Sequence, residues 1–223
     1  MSAVAETVDR LRRLDACAVS DARDQLGLTD AVVLGLSNLT GLARIAGRVI
    51  TVALGEPRDD LPARHLCTAA VEAAGPGDVI VVAHRGRTDC AGWGGNLSRG
   101  ALARGAAGTI VHGAARDVDE ARELGYPVFA SSATPRTARG RTQEHAWGGP
   151  IEVAGVPVNA GDYVVADATG VVFIAAVEVE TVLAAAEAIA AKEALMAAAI
   201  DSGSAIGEVM GGAYERMLTG NGK

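Results

Sequence analysis

The chain has 223 residues, 49% of them apolar and 21% charged, with 27 acidic against 20 basic side chains and a formal net charge of −7. That length holds a single domain with a full core, and the composition is neither disordered nor fibrous. The acidic balance, the absence of any basic run longer than Arg12-Arg13 and an aromatic content of 3% exclude a nucleic-acid surface, an anionic-membrane binder and a base-stacking platform.

In chain order, residues 1–27 read as two short helices. Asp15 breaks the first, Ser20-Asp21 has the look of a cap for the second, and Gly27 stops it. Ile45 to Leu54 mixes β-branched and polar residues as a strand does. His65 to Ala74 is helical in pattern and ends at Gly75-Pro76-Gly77. Val79 to Ala83 is a short, wholly apolar run of the kind buried on both faces of a sheet. A polar, glycine-rich loop is expected from His84 to Gly95. A helix follows over Asn96–Arg104, with Asn96 as cap and Gly105 as stop. Gly108–His112 reads as the next buried strand, Asp117 to Leu124 as a short helix, and Val128–Ala130 as a third strand. Strand, helix, strand, helix, strand implies parallel pairing with right-handed crossovers. From Ile151 to Ala176 short β runs alternate with turns, which suggests hairpins. An alanine-rich helix spans Val179 to Ile200; such a helix packs closely against something flat, a second subunit being one option. Leu218 to Lys223 read as frayed. No linker divides the chain.

The same topology gathers the chemistry. With strands 79–83 and 108–112 parallel, the start of the intervening helix, Gly94-Gly95-Asn96-Leu97, falls at the carboxyl edge of the sheet. Strand 108–112 delivers Arg116 and Asp117 to that edge, where ligands of open α/β sheets bind. Free N–H groups at two helix starts and an arginine between them suit an anion. Taken alone, Asp117 reads as an N-cap, because Asp117-Val118-Asp119-Glu120 has the spacing of a capping box. Arg116 taken alone reads as a surface ion-pair partner.

Other candidates carry less. The cysteines, Cys17, Cys67 and Cys90, are odd in number and never spaced Cys-x-x-Cys, which points to free thiols in a reducing cytoplasm. The N-terminus has Glu6, Asp9 and Arg10 where a signal peptide is apolar, and no apolar run approaches the ~18 residues of a membrane span. His65 with Cys67, His84 with Cys90, and His112 read as buried thiols and satisfied histidines rather than ligands. The arginines at 136, 139 and 141 read as a solvated loop, with anion contact as the alternative.

Three segments together resemble a known family. Gly94-Gly95-Asn96-Leu97, then Gly113-Ala114-Ala115-Arg116-Asp117-Val118-Asp119-Glu120, then Leu124-Gly125-Tyr126-Pro127-Val128-Phe129 resemble the regulator of ribonuclease E activity A family. That family includes the 4-hydroxy-4-methyl-2-oxoglutarate/4-carboxy-4-hydroxy-2-oxoadipate aldolases. The likeness runs from about residue 15 to 177 and includes Thr134-Pro135-Arg136 and Gly161-Asp162-Tyr163-Val164-Val165-Ala166-Asp167. It implies a three-layer α/β/α fold like the swivelling phosphohistidine domain, with a central mixed or parallel sheet and a small hairpin sheet, assembled as trimers or hexamers. It also implies a Mg²⁺ or Mn²⁺ ion held by Asp117, with waters and a small 2-oxo acid substrate completing the shell. Arg116 would be the catalytic electrophile, and Gly94, Gly95, Asn96 and Leu97 would bind the substrate carboxylate. Retro-aldol cleavage of a 4-hydroxy-2-oxo dicarboxylic acid and oxaloacetate decarboxylation both pass through pyruvate enolate, which the ion would stabilise as a Lewis acid.

One position departs from the family pattern. Many relatives carry an acidic residue where this chain has Gly95, and that acid is thought to position a proton-carrying water. Asp89, Glu120 and Glu144 are the candidates to replace it. The loop His84–Asp89 also brings Arg85 and Arg87 towards the predicted pocket. Two other readings belong to different classes. One is a protein-binding regulator of an RNA-degrading nuclease, which the same fold supports. The other is a phosphohistidine carrier, for which His84 is the nearest histidine.

Overall fold

The computed structural model describes residues 2–29, 31–42, 44–61 and 64–211. Two helices open it, α1 (Ala3–Leu11) and α2 (Ala16–Gln25). The cap of α2 is Asp15 rather than Ser20-Asp21. Its carboxylate accepts the Ala18 N–H at 2.8 Å from an extended backbone, while the Asp167 carboxylate takes the Ala16 N–H at 2.8 Å. With both N–H groups satisfied there, the helix starts early and carries Ser20-Asp21 inside it.

Strands β1 (Val32–Val33), β2 (Ser37–Asn38) and β3 (Ile45–Gly55) follow, then α3 (Thr68–Ala73), β4 (Asp78–Trp93), α4 (Gly95–Ala103), β5 (Gly108–Ala115), α5 (Val118–Glu123) and β6 (Val128–Ala133). After them come β7 (Gln143–Trp147), β8 (Ile151–Val153), β9 (Val156–Val158), β10 (Tyr163–Ala166) and β11 (Val171–Ile174). The long α6 (Val179–Asp201) and a single turn, α7 (Ile206–Val209), end the described chain. Leu218–Lys223, expected to fray, lie outside the described residues. No helix among the described residues is long and apolar enough to cross a membrane.

The main sheet runs β1-β11-β10-β3-β4-β5-β6-β2, with β7 added along the far half of β3. Its centre, β3 through β6, is parallel, as the alternation of strands and helices requires, and the flanking pairs are antiparallel. The loop expected over His84–Gly95 is instead the continuation of β4. Arg87, Ala91 and Trp93 pair with Gly113, Ala114 and Ala115 across successive bulges. Bulges break the strict alternation by which a strand is recognised, and the stretch Arg85–Asp89 faces solvent, so its composition imitates a loop.

Alternate residues of the central strands define the layers. Ile50, Val52, Ile80, Val82 and Val111 face the core beneath α3, α4 and α5. Ala46, Val165 and Ile174 lie on the same side, beneath α1, α2 and α6. The opposite residues, Val49, Val79, Val81, Ile110 and Phe129, pack on Val153, Val156 and Val158 of the β8–β9 hairpin. The mixed α/β fold, its central sheet and its small hairpin sheet are all present. The β8–β9 hairpin lies over the face opposite the helices, together with Val33 and Leu36. The first half of α6 buries Val182, Leu183, Ala186 and Ile189 against the chain's own α2 and sheet, while Leu195 is exposed.

Candidate functional site

Adjacent parallel strands β4 and β5 end side by side, with Trp93 paired to Ala115 and the Arg116 N–H donating to the Trp93 carbonyl at 3.0 Å. The chain after each strand therefore emerges at one point of the carboxyl edge. From β4 it turns at Gly94 into α4, whose own N-cap residue has no side chain to cap it. Two interactions fix that turn: buried Trp93 donates its indole N–H to Ser98 Oγ at 2.9 Å, and that hydroxyl donates to the Gly94 carbonyl at 3.2 Å. From β5 the chain enters Arg116-Asp117.

Asp117 occupies the cap position of α5 but does not cap it. Its backbone is left-handed, with φ 57°, and its side chain makes no bond to its own helix. Instead one carboxylate oxygen accepts the Gly95 N–H at 3.0 Å and the other accepts Arg116 Nε at 3.0 Å. The capping box expected from Asp117 and Glu120 is thus absent, and the carboxylate crosses from one helix start to the other. Asp117 and Arg116 are both about one-third exposed on their side chains. Each Asp117 oxygen keeps a further lone pair for a ligand. The first-turn N–H groups of Asn96 and Leu97 have no acceptor within the helix.

Gly94 and Gly95 leave room for the acidic side chains of the next helix start. A Cβ at Gly94 would lie 3.0 Å from Asp117 Oδ2 and 3.1 Å from Arg116 Cγ. A Cβ at Gly95 would overlap the Glu120 carboxylate and sit 3.2 Å from Asp117 Cβ. Of the three acidic candidates for the missing position-95 carboxylate, the structure brings only Glu120 to that spot, held by Arg99 at 2.9 Å. Asp89 pairs with Arg87 on the exposed part of β4, and that guanidinium holds its carboxyl below the ordinary value. Glu144 is buried, accepting from Arg64 and, at 2.6 Å, from the Cys67 N–H.

A cleft of about 260 Å³ opens here, lined by Trp93, Gly94, Gly95, Asn96, Leu97, Arg116 and Asp117. Every substrate- and metal-site residue taken from the sequence lines this one cleft. His65, read from the sequence as a satisfied histidine, and Arg139, one of the three loop arginines for which anion contact was the alternative, line it too. The expected approach of Arg85 and Arg87 does not occur: Arg85 lines a separate cleft with His112 and His145, and Arg87 bonds Asp89 and the Arg141 carbonyl. Cys67 and Cys90 are fully buried, and burial raises both thiols above their ordinary value. His84 is 1% exposed, so it cannot accept a phosphoryl group, and the carrier reading ends there.

The donor set suits a hard cation. Two carboxylates, Asp117 and Glu120, flank the Gly94-Gly95 turn, and among the described residues no group of three His, Cys, Asp or Glu side chains gathers to hold a metal. One or two carboxylates with open positions is how Mg²⁺ is bound in proteins, whereas zinc takes a set of nitrogen and sulfur ligands.

The RraA-like family profile (Aldolase/RraA) matches residues 16–173. The 4-hydroxy-4-methyl-2-oxoglutarate aldolase of Thermus thermophilus is 33% identical over 157 residues, covering 70% of this chain and 90% of that protein. Protein DlpA of Legionella pneumophila is 30% identical over 199 residues, 89% of this chain, yet the chain spans only 32% of DlpA. Among solved structures, Streptomyces coelicolor RraAS2, described as an unusual member of the RNase ES inhibitor RraA family, superposes with a TM-score of 0.76. It is 28% identical, over 85% of this chain and 94% of that one. With the profile matching most of its length, the chain belongs to the RraA-like family.

Proposed function

We propose that the protein is a divalent-metal-dependent lyase that releases pyruvate from 2-oxo acids, by retro-aldol cleavage of a 4-hydroxy-2-oxo dicarboxylic acid, by oxaloacetate decarboxylation, or by both. The observation that carries this reading is the Asp117 carboxylate bridging Arg116 Nε and the Gly95 N–H at the mouth of the cleft. Likeness to a named aldolase supports the lyase class.

In this reading Asp117 holds Mg²⁺ or Mn²⁺, and when bound the ion supplies Lewis-acid stabilisation of negative charge on the substrate oxygens. The N–H groups of Asn96 and Leu97 bind the substrate carboxylate at the α4 start. Arg116, fixed by its bond to Asp117, presents its remaining donors to the keto oxygen as charge develops there. Cleavage needs one group to take a proton from the 4-hydroxyl and one to return a proton to the enolate carbon. Glu120 is the carboxylate beside Gly95 and serves that exchange through water.

The test is pyruvate release from 4-hydroxy-4-methyl-2-oxoglutarate and from oxaloacetate with saturating Mg²⁺ or Mn²⁺. Turnover abolished by chelation and reduced about a hundredfold or more in Asp117→Asn is the expected result. No turnover of either substrate overturns the reading. A second reading, a protein that binds an RNA-degrading nuclease, is favoured by the likeness to RraAS2. Retention of such a nuclease on immobilised Arg116→Ala protein, without turnover by the wild type, would favour it.

A further inference from the structure

The arginines around the cleft differ in how their charge is met. Arg116 is paired with Asp117. A second cleft of about 510 Å³, lined in part by Arg58 and Arg64, shares His65, Leu66, Thr137, Ala138 and Arg139 with the site cleft. Arg58 is paired with Asp60 at 2.6 Å, and Arg64 with Glu144. Arg139 lines both clefts, and among the described residues its guanidinium has no ion pair and no hydrogen bond. Asp59 lines the second cleft but makes no pair with it.

The loop that carries Arg139 is nonetheless fastened. Its own N–H donates to Thr137 Oγ1 at 3.2 Å, and Thr142 N–H and Arg141 N–H both donate to the Ala138 carbonyl. Thr142 Oγ1 donates to the Gly55 carbonyl at the end of β3, and the Ala91 N–H of β4 donates to the Arg136 carbonyl. A guanidinium has five donors and no means of shedding its charge. Here a held backbone presents one, without a partner, on the wall common to the two clefts.

We propose that Arg139 is a specificity-determining residue that receives a second carboxylate, on the end of the substrate remote from its 2-oxo acid group. This rests on the lyase reading of the same cleft. The 2-oxo acid end lies at Asn96, Leu97 and Arg116, and the far end extends towards the second cleft. There a charge-assisted, two-donor contact discriminates a dianionic ligand from a monoanionic one of equal length. Arg139 acts on affinity and takes no part in bond breaking.

Binding tests this without depending on turnover. Calorimetry with Mg²⁺ present compares 2-oxoglutarate with 2-oxopentanoate, which has the same chain length but lacks the second carboxylate. Wild type is expected to prefer 2-oxoglutarate by about tenfold or more, and Arg139→Gln to lose that preference while binding 2-oxopentanoate unchanged. Arg139→Lys should restore part of it. In turnover, Arg139→Gln should raise KM for 4-hydroxy-4-methyl-2-oxoglutarate with kcat within about twofold, and leave kcat/KM for 4-hydroxy-4-methyl-2-oxopentanoate as it was. An equal preference in wild type and Arg139→Gln, or none in wild type, overturns the proposal. If the preference is present and depends on Arg139 but neither substrate is cleaved, the lyase reading fails and the carboxylate subsite stands.

Discussion

The carboxylate of Glu120 occupies the space in which a side chain on Gly95 would begin. An acid absent from one helix start is therefore replaced, in position, by an acid from the next, and the glycine is what leaves room for it. Gly95→Ala should displace Glu120 and lower kcat for pyruvate release by about a hundredfold. The double variant Gly95→Ala/Glu120→Ala should be no more active than Gly95→Ala, and both should unfold close to wild type because the displaced carboxylate ends a flexible, partly exposed side chain. Steady-state assays and thermal unfolding of the three proteins check this.

Glu144 supports the site from below. Its buried carboxylate accepts the Cys67 N–H at 2.6 Å, at a residue whose backbone is left-handed with φ 65°, and so holds the segment that carries His65 and Leu66 to the cleft wall. Glu144→Ala leaves that buried N–H without an acceptor. The expected loss is about 1–3 kcal/mol in denaturant unfolding. Arg64, being exposed, can turn to water.

The α6 helix offers a contrast within one element. Leu183 is fully buried and Leu195 is exposed. Leu183→Ala should cost about 2–5 kcal/mol by opening a cavity beneath the helix, whereas Leu195→Ala should stay within about 0.5 kcal/mol. Equal effects in urea titrations would show that the helix is held by something other than its own chain's core.

His84 gives stability a pH dependence. Its Nε2–H donates to the Cys90 carbonyl at 3.0 Å, its Nδ1 is buried without a partner, and burial lowers its pKa below the ordinary 6.5. A lowered folded-state value means that the unfolded chain binds the extra proton first as pH falls. The contribution is therefore complete above about pH 6.5 and declines below it, by at most about 1.4 kcal/mol per pH unit until the folded-state pKa is reached. His84→Gln keeps an N–H for Cys90 and does not titrate, so the difference between the two unfolding curves should shrink from pH 7 to pH 5.

Much of this architecture can be read from the sequence because its central strands and crossovers are long and regular. Val79–Ala83 and Gly108–His112 announce themselves as buried strands, and their order alone brings Gly94–Leu97 to Arg116-Asp117. What escaped had physical reasons. The second half of β4 is bulged and polar; β1 and β2 are two residues long, too short for any periodicity. The Asp117-x-x-Glu120 spacing is truly that of a cap, and only the left-handed backbone at Asp117 sends its carboxylate across to the other helix. Arg139 is one of three arginines in one loop, and spacing carries no information on which of them lines a cleft.

The left-handed backbone of Asp117 has one more consequence. A non-glycine residue there stores on the order of 1 kcal/mol of steric cost, which aspartate bears better than most. Asp117→Gly would release that cost while deleting the carboxylate, so under the lyase reading selection for heat resistance alone has a route that leads away from turnover. Any effort to harden this protein should hold position 117 fixed and assay turnover at every round.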